Sequence, residues 1–218
     1  KPANRGPLSA FISKLHHKIF NNSFAYALKD GKFDAVKVKM DLPEAAGTQD
    51  FMGLNYYTGD LVKFDLSKGD DGYARRFYPP DADLSETGFL ANDPQGFMDA
   101  IRWISQFDLP IYITENGCED GKDDFRRRYL LQHLHALWKM INQNIPVKGY
   151  FHWSLTDNFE WERGWSQKFG LWELDPATQI RTKRKSVDLY AEICRGNAIT
   201  SELVEKFAPE EYDKLYPA

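Results

Sequence analysis

Ile111-Tyr112-Ile113-Thr114-Glu115-Asn116-Gly117 is a short apolar run that ends on a carboxylate and then turns. Pro110 in front and Gly117 behind bound it as a strand. A buried strand that delivers an acid to its C-terminal tip is how barrel enzymes build an active site. A second such stretch follows, Val147-Lys148-Gly149-Tyr150-Phe151-His152-Trp153-Ser154-Leu155-Thr156-Asp157-Asn158-Phe159-Glu160-Trp161, crowded with aromatics and acids where a loop would ordinarily be polar. Together the two describe a sugar site.

Working outward, the spacing of Leu8, Phe11, Ile12, Leu15, Ile19, Ala27 and Leu28 predicts an amphipathic helix over 8–30 that stops at Gly31. His16 and His17 fall inside it and point to different faces, so the pair reads as surface or packing rather than as a metal site. Residues 50–57 read as a strand whose Gly53 marks a close backbone approach, and 59–92 as a long loop-rich stretch. Helices are predicted over 94–107, 123–142 and 185–195, a strand over 147–153 and a short extended piece over 169–174. Residues 199–218 read as a charged, poorly tethered tail beyond a body of 1–198 that shows no internal boundary.

Alternation of helix and strand demands parallel strands with helical crossovers, an α/β architecture. Three strands are too few. An eight-stranded barrel needs about 250 residues, and three parallel strands alone leave two open edges and an uncovered core. The chain is therefore expected to be a portion of a larger barrel.

Composition narrows the function classes. The 218 residues are 42% hydrophobic and 15% aromatic, ample for a core, and 28 basic against 32 acidic side chains give a net charge of −4. No basic tract argues for nucleic acid or an anionic membrane; Arg126-Arg127-Arg128 and Lys183-Arg184-Lys185 read as solvated helix faces. No apolar stretch approaches the length of a membrane span. Two distant cysteines, Cys118 and Cys194, without metal-ligand spacing fit unpaired thiols in a reducing, cytoplasmic compartment.

Four motifs in order carry a resemblance: Phe51-Met52-Gly53-Leu54-Asn55-Tyr56-Tyr57-Thr58, Ile113-Thr114-Glu115-Asn116-Gly117, Gly149 through Trp161, and Lys168-Phe169-Gly170-Leu171. Over about residues 8–198 the chain resembles the C-terminal part of family 1 of the glycoside hydrolases, the retaining β-glucosidases and their relatives. The resemblance implies a (β/α)8 TIM barrel of which this chain holds about three βα units, strands 6–8. Glu115 matches the nucleophile and Tyr57 the tyrosine that donates a hydrogen bond to it. Asn55 is similar to a further polar residue of the site, Trp153 to the stacking tryptophan, and Glu160 and Trp161 to the pair that grips sugar hydroxyls. Aromatic platforms and carboxylate acceptors are what a sugar's C–H faces and hydroxyls require. Relatives acting on 6-phosphorylated sugars carry serine at the position of Glu160, so a neutral sugar is expected. Asp157 and Asn158 belong to the same motif and read as loop-holding residues.

The pattern also fails at one point. The family's acid/base is a glutamate in an Asn-Glu-Pro motif, and no Asn-Glu dipeptide occurs in the sequence. The expected partners are thus a β-glycoside and a complementary N-terminal barrel portion, as a second chain or a missing segment, and no metal or organic cofactor is required. The alternative is a non-catalytic carbohydrate-binding or interaction module on the same barrel. Trp165 with Gln167-Lys168, in place of a more usual tyrosine and basic pair, bears on the outer aglycone site.

Overall fold

The computed structural model describes residues 1–217. Helical spacing between Leu8 and Leu28 produces α1 (Pro7–His17) and α2 (Ser23–Asp30), joined by a π-helical turn over Lys18–Asn22. Gly31 ends α2 at φ 70°, donating its N–H to the Ala27 carbonyl at 2.9 Å. That left-handed position is open to glycine without steric penalty. His16 approaches the Gly72 carbonyl and Arg76, whereas the His17 ring meets the Asn21 amide at 2.9 Å.

After Gly31 comes a hairpin absent from the sequence reading, β1 (Lys32–Ala35) and β2 (Val38–Asp41). Its tight turn places Val36 at φ 67°, where glycine or asparagine would have announced it. The chain continues through β3 (Met52–Asn55) to a second hairpin, β4 (Leu61–Phe64) and β5 (Ala74–Phe77), within the stretch expected to be loop. Of β5 only Ala74 is buried, and Arg75 and Arg76 conceal the strand in a polar run. By contacts, residues 1–52 and 59–82 form one compact unit, with Ile12, Val62 and Ala74 at its center.

The second unit is residues 53–58 with 83–218. It holds α3 (Pro94–Ser105), β6 (Ile111–Asn116), α4 (Phe125–Ile141), β7 (Val147–His152), the hairpin β8 (Trp172–Leu174) and β9 (Arg181–Lys183), and α5 (Lys185–Gly196). Asp93 caps α3, accepting from Gly96 N at 2.8 Å. The sheet is ordered β3–β6–β7, with β6 and β7 parallel and the acid-bearing strand in the middle. Leu54, Ile111 and Ile113 are buried on it, while Asn55, Thr114 and Phe151 stay uncovered.

Residues 201–217 are not a loose tail. Helices α6 (Ser201–Phe207) and α7 (Tyr212–Leu215) bury Val204, Phe207, Ala208 and Leu215 against Leu130, Leu131 and Leu189. Charged residues at intervening positions disguise that apolar face. The basic clusters also differ from the solvated faces expected. Arg126 and Arg184 are both buried, each paired with an aspartate.

Candidate active site

Strand β6 brings Glu115 to its tip, and the residues leaving β3 bring Tyr57 to the same point. The Tyr57 hydroxyl donates to Glu115 Oε2 at 2.5 Å, and Tyr56 N donates to the Glu115 carbonyl at 2.9 Å. Burial first, then the hydrogen bond to Glu115 and the charges of Glu115 and Glu160, push the Tyr57 hydroxyl far above the ordinary tyrosine range. It remains a protonated donor at any physiological pH, which is what an ionised carboxylate needs beside it. Asn55, two residues before Tyr57, accepts from Oγ1 of Thr114, the neighbour of Glu115, at 2.6 Å.

The chain leaving β7 carries the aromatic end. Trp153 Nε1 donates to Glu160 Oε1 at 3.3 Å, and Asn158 Nδ2 donates to the same oxygen at 2.5 Å. Asn158, read from the sequence as a loop-holding residue, therefore also orients Glu160. Trp153 and Tyr57 pack on one buried cluster of Leu90, Cys118, Phe125, Tyr129 and Phe169. Trp161 is not gathered in. It opens a short 3-10 turn at φ 48° and is 84% exposed. Phe159 and Trp165 meet edge to face at 6.0 Å beside that turn.

Buried ion pairs hold the strand-tip loops. Asp157 takes Arg184 on both oxygens at 3.0 Å and also accepts from Gly170 N at 2.8 Å, tying the aromatic loop to the segment before β8. Arg126 binds Asp123 at 2.6 Å and the Asp120 and Lys168 carbonyls at 2.7 and 2.6 Å, fixing the loop after Glu115. At Gly117 a Cβ would lie 1.9 Å from the Trp153 carbonyl oxygen. No side chain fits there, so the glycine lets the tips of β6 and β7 close on each other.

The profile of glycosyl hydrolase family 1 matches residues 17–199. The chain belongs to glycosyl hydrolase family 1. It is 36% identical over 183 residues to a β-galactosidase of Pyrococcus woesei, covering 77% of this chain and 36% of that protein. Against β-glucosidase A of Thermotoga maritima the identity is 37% over 183 residues, 74% of this chain and 38% of the relative. In structure it is similar to a β-glycosidase from Pyrococcus horikoshii, with a TM-score of 0.85 at 31% identity over 94% of this chain and 48% of that one. A family 1 β-glucosidase from Thermotoga maritima gives 0.81 at 29% identity, covering 92% and 49%. The chain spans less than half the length of these relatives, and its βα units correspond to part of a TIM barrel.

Behind the Tyr57–Glu115 pair this family 1 chain holds a polar group that the sequence reading passed over: buried Asn116, Tyr129 and His133 with half-buried Tyr150. A signal existed. Tyr129 and His133 interrupt, four residues apart, an otherwise apolar row of α4 that runs from Phe125 to Leu137. Burial lowers His133 to about 3, and His152, whose ring nitrogens are closed off from solvent, likewise to about 3. Cys118 is fully buried and burial pushes its thiol well up, so it is a packing residue rather than a reactive group. Among the described residues no cluster of His, Cys, Asp and Glu is arranged to hold a metal ion, and no helix is long and apolar enough to cross a membrane.

Proposed function

We propose that the chain is the C-terminal portion of a retaining β-glycosidase, its β3, β6 and β7 serving as the sixth, seventh and eighth barrel strands. The observation that carries this is the 2.5 Å bond from Tyr57 to Glu115 at adjacent strand tips in a family 1 chain. Glu115 attacks the anomeric carbon of a terminal β-linked sugar as the bond to the leaving oxygen breaks. That oxygen takes its proton from a carboxylic acid supplied by the barrel portion outside these residues. Water then attacks the same carbon, the ester to Glu115 breaks, and the second carboxylate takes the water's proton. Tyr57 occupies one oxygen of Glu115 and leaves the other to form the bond.

Trp153 offers its apolar face to the sugar, Asn55 and Glu160 take its hydroxyls, and Trp161, which stands outside the buried cluster, is assigned with Glu160 to the hydroxyl-gripping pair. The Asn158 and Trp153 hydrogen bonds hold Glu160 as an acceptor. A carboxylate so placed repels a phosphate and favors a neutral sugar.

Labelling decides the matter. The complete enzyme, this chain together with the portion carrying the acid, is treated with a 2-fluoro β-glycoside inactivator, digested and mapped by mass spectrometry. The adduct is expected on Glu115, and the 218-residue chain alone is expected to leave an aryl β-glucoside intact. An adduct on another residue, or turnover by the isolated chain, overturns the reading. Sugar binding without turnover in the complete assembly would favor the non-catalytic alternative.

A further inference from the structure

The Tyr57–Glu115 bond depends on the relative placement of two strand tips, and one side chain reaches both. Asn116 follows Glu115 on β6 and is completely buried. Its Nδ2 lies 2.7 Å from the Tyr56 carbonyl, 3.0 Å from His133 Nδ1 and 3.1 Å from the Tyr129 hydroxyl, while its Oδ1 accepts from the Tyr150 hydroxyl at 2.8 Å. The Tyr129 hydroxyl in turn donates to the Tyr57 carbonyl at 2.7 Å. Trp153 N donates to the Asn116 carbonyl at 3.0 Å, so the tip of β7 joins the same residue.

Proton roles here are forced. A carbonyl only accepts, so the amide nitrogen of Asn116 must face Tyr56, its two N–H groups are shared among the Tyr56 carbonyl, His133 Nδ1 and the Tyr129 hydroxyl, and Nδ1, which cannot donate to an amide nitrogen, carries no proton. His133 is accordingly neutral, in keeping with its depressed pKa, and stacks at 3.8 Å on the Tyr129 ring. The carbonyls of Tyr56 and Tyr57 are thus gripped from behind by donors that stand on β6 and α4. A buried amide with this many partners adds little stability over an apolar side chain of equal volume. What it adds is position, because each partner restricts where the others can stand.

We propose that Asn116 and Tyr129 are positioning residues that set the Tyr57–Glu115 hydrogen bond by holding the backbone of Tyr56 and Tyr57. Neither side chain touches Glu115's carboxylate; both act through Tyr57. This inference rests on Glu115 and Tyr57 acting as described under the proposed function.

A double-mutant cycle in the complete enzyme tests it, read as the rate of trapping by the 2-fluoro β-glycoside and as kcat and KM on an aryl β-glycoside. Tyr57→Phe removes a hydrogen bond to a charged group and is expected to slow trapping about 10- to 100-fold. Tyr129→Phe keeps the ring on His133 but loses the grip on Tyr57; it is expected to lower kcat about tenfold with KM changed less than about twofold. In the Tyr57→Phe background the same Tyr129→Phe change is expected to do almost nothing, because the bond it positions is gone. Equal slowing in both backgrounds, or no slowing in either, overturns the inference while leaving the nucleophile reading intact. If Tyr57→Phe itself leaves trapping unchanged, the role given to Tyr57 falls, and this inference with it, while the residue that carries the adduct still decides the nucleophile. Should Tyr129→Phe fail to fold, Tyr150→Phe, which frees Asn116 Oδ1, serves in the same cycle with the same pattern expected.

Discussion

Replacing Asp157 by asparagine removes one charge and almost no volume, yet the surroundings leave the new amide no acceptable orientation. In the structure Asp157 Oδ1 accepts from Gly170 N and Arg184, and Oδ2 accepts from Leu174 N and Arg184. Whichever oxygen becomes the NH2 group, it faces two N–H donors and can bond neither. Arg184 meanwhile keeps the one remaining oxygen and the Gly170 carbonyl at 2.7 Å but loses its counter-charge, with its side chain 5% exposed beside an aspartate side chain of 1%. Breaking a buried pair in this way costs about 3–5 kcal/mol, because a desolvated charge is left uncompensated. That is a large share of the ~5–15 kcal/mol that holds a typical domain folded. Urea unfolding followed by tryptophan fluorescence reads it as a lower midpoint at an unchanged slope. Adding Arg184→Met removes the stranded charge, so the double variant is expected to be no less stable than Asp157→Asn alone, within about 1 kcal/mol. A loss below about 1 kcal/mol for Asp157→Asn would refute the reasoning, since only a solvated pair is that weak.

Three further outcomes follow from burial. His133 and His152 are held near 3 against about 6.5 when unfolded. The unfolded chain binds the extra protons between those values, so stability is complete above pH ~6.5 and falls toward pH 3, by about 1.4 kcal/mol per pH unit for each histidine. Urea midpoints from pH 7 to pH 4 check the slope; a flat profile in that window refutes it. Phe207→Ala is expected to cost about 3 kcal/mol in the same assay, because Phe207 packs with Leu130 and Leu189, and a loss under about 0.5 kcal/mol would return residues 201–217 to a loose tail. Native protein treated with a thiol reagent should react at exposed Cys194 and not at Cys118, with both thiols reacting after denaturation. Rapid native labelling of Cys118 would contradict its burial.

Elements whose signals are local could be read from the sequence. Pro110 and Gly117 delimit β6, Gly31 ends α2 in the left-handed conformation, and Asp93 with Pro94 opens α3. What escaped depends on partners far along the chain. Arg184 reads as a surface charge until Asp157, 27 residues away, is seen against it, and Arg126 until the Lys168 carbonyl, 42 residues away, arrives. The β1–β2 hairpin was illegible for a different reason. Its turn places a β-branched residue, Val36, in the left-handed region, against the residue preferences that make hairpins recognisable.

The side chains left exposed on the sheet support the proposal that further residues complete the barrel. Exposed positions on β3, β6 and β7 are Gly53, Asn55, Thr114, Lys148 and Phe151, with Phe151 at 58% exposure. A sheet face meant for water carries charged and long polar residues at such positions, as the alternation of half-buried antiparallel strands does. Here one of the five is charged. A glycine, an asparagine, a threonine and a phenylalanine are instead what a barrel interior accommodates, where packed side chains meet a few polar groups at the mouth. Asn55 and Thr114, hydrogen-bonded to each other at 2.6 Å, stand two residues from Tyr57 and one from Glu115 respectively. The face left uncovered is thus continuous with the proposed site, and whatever covers the first also walls the second.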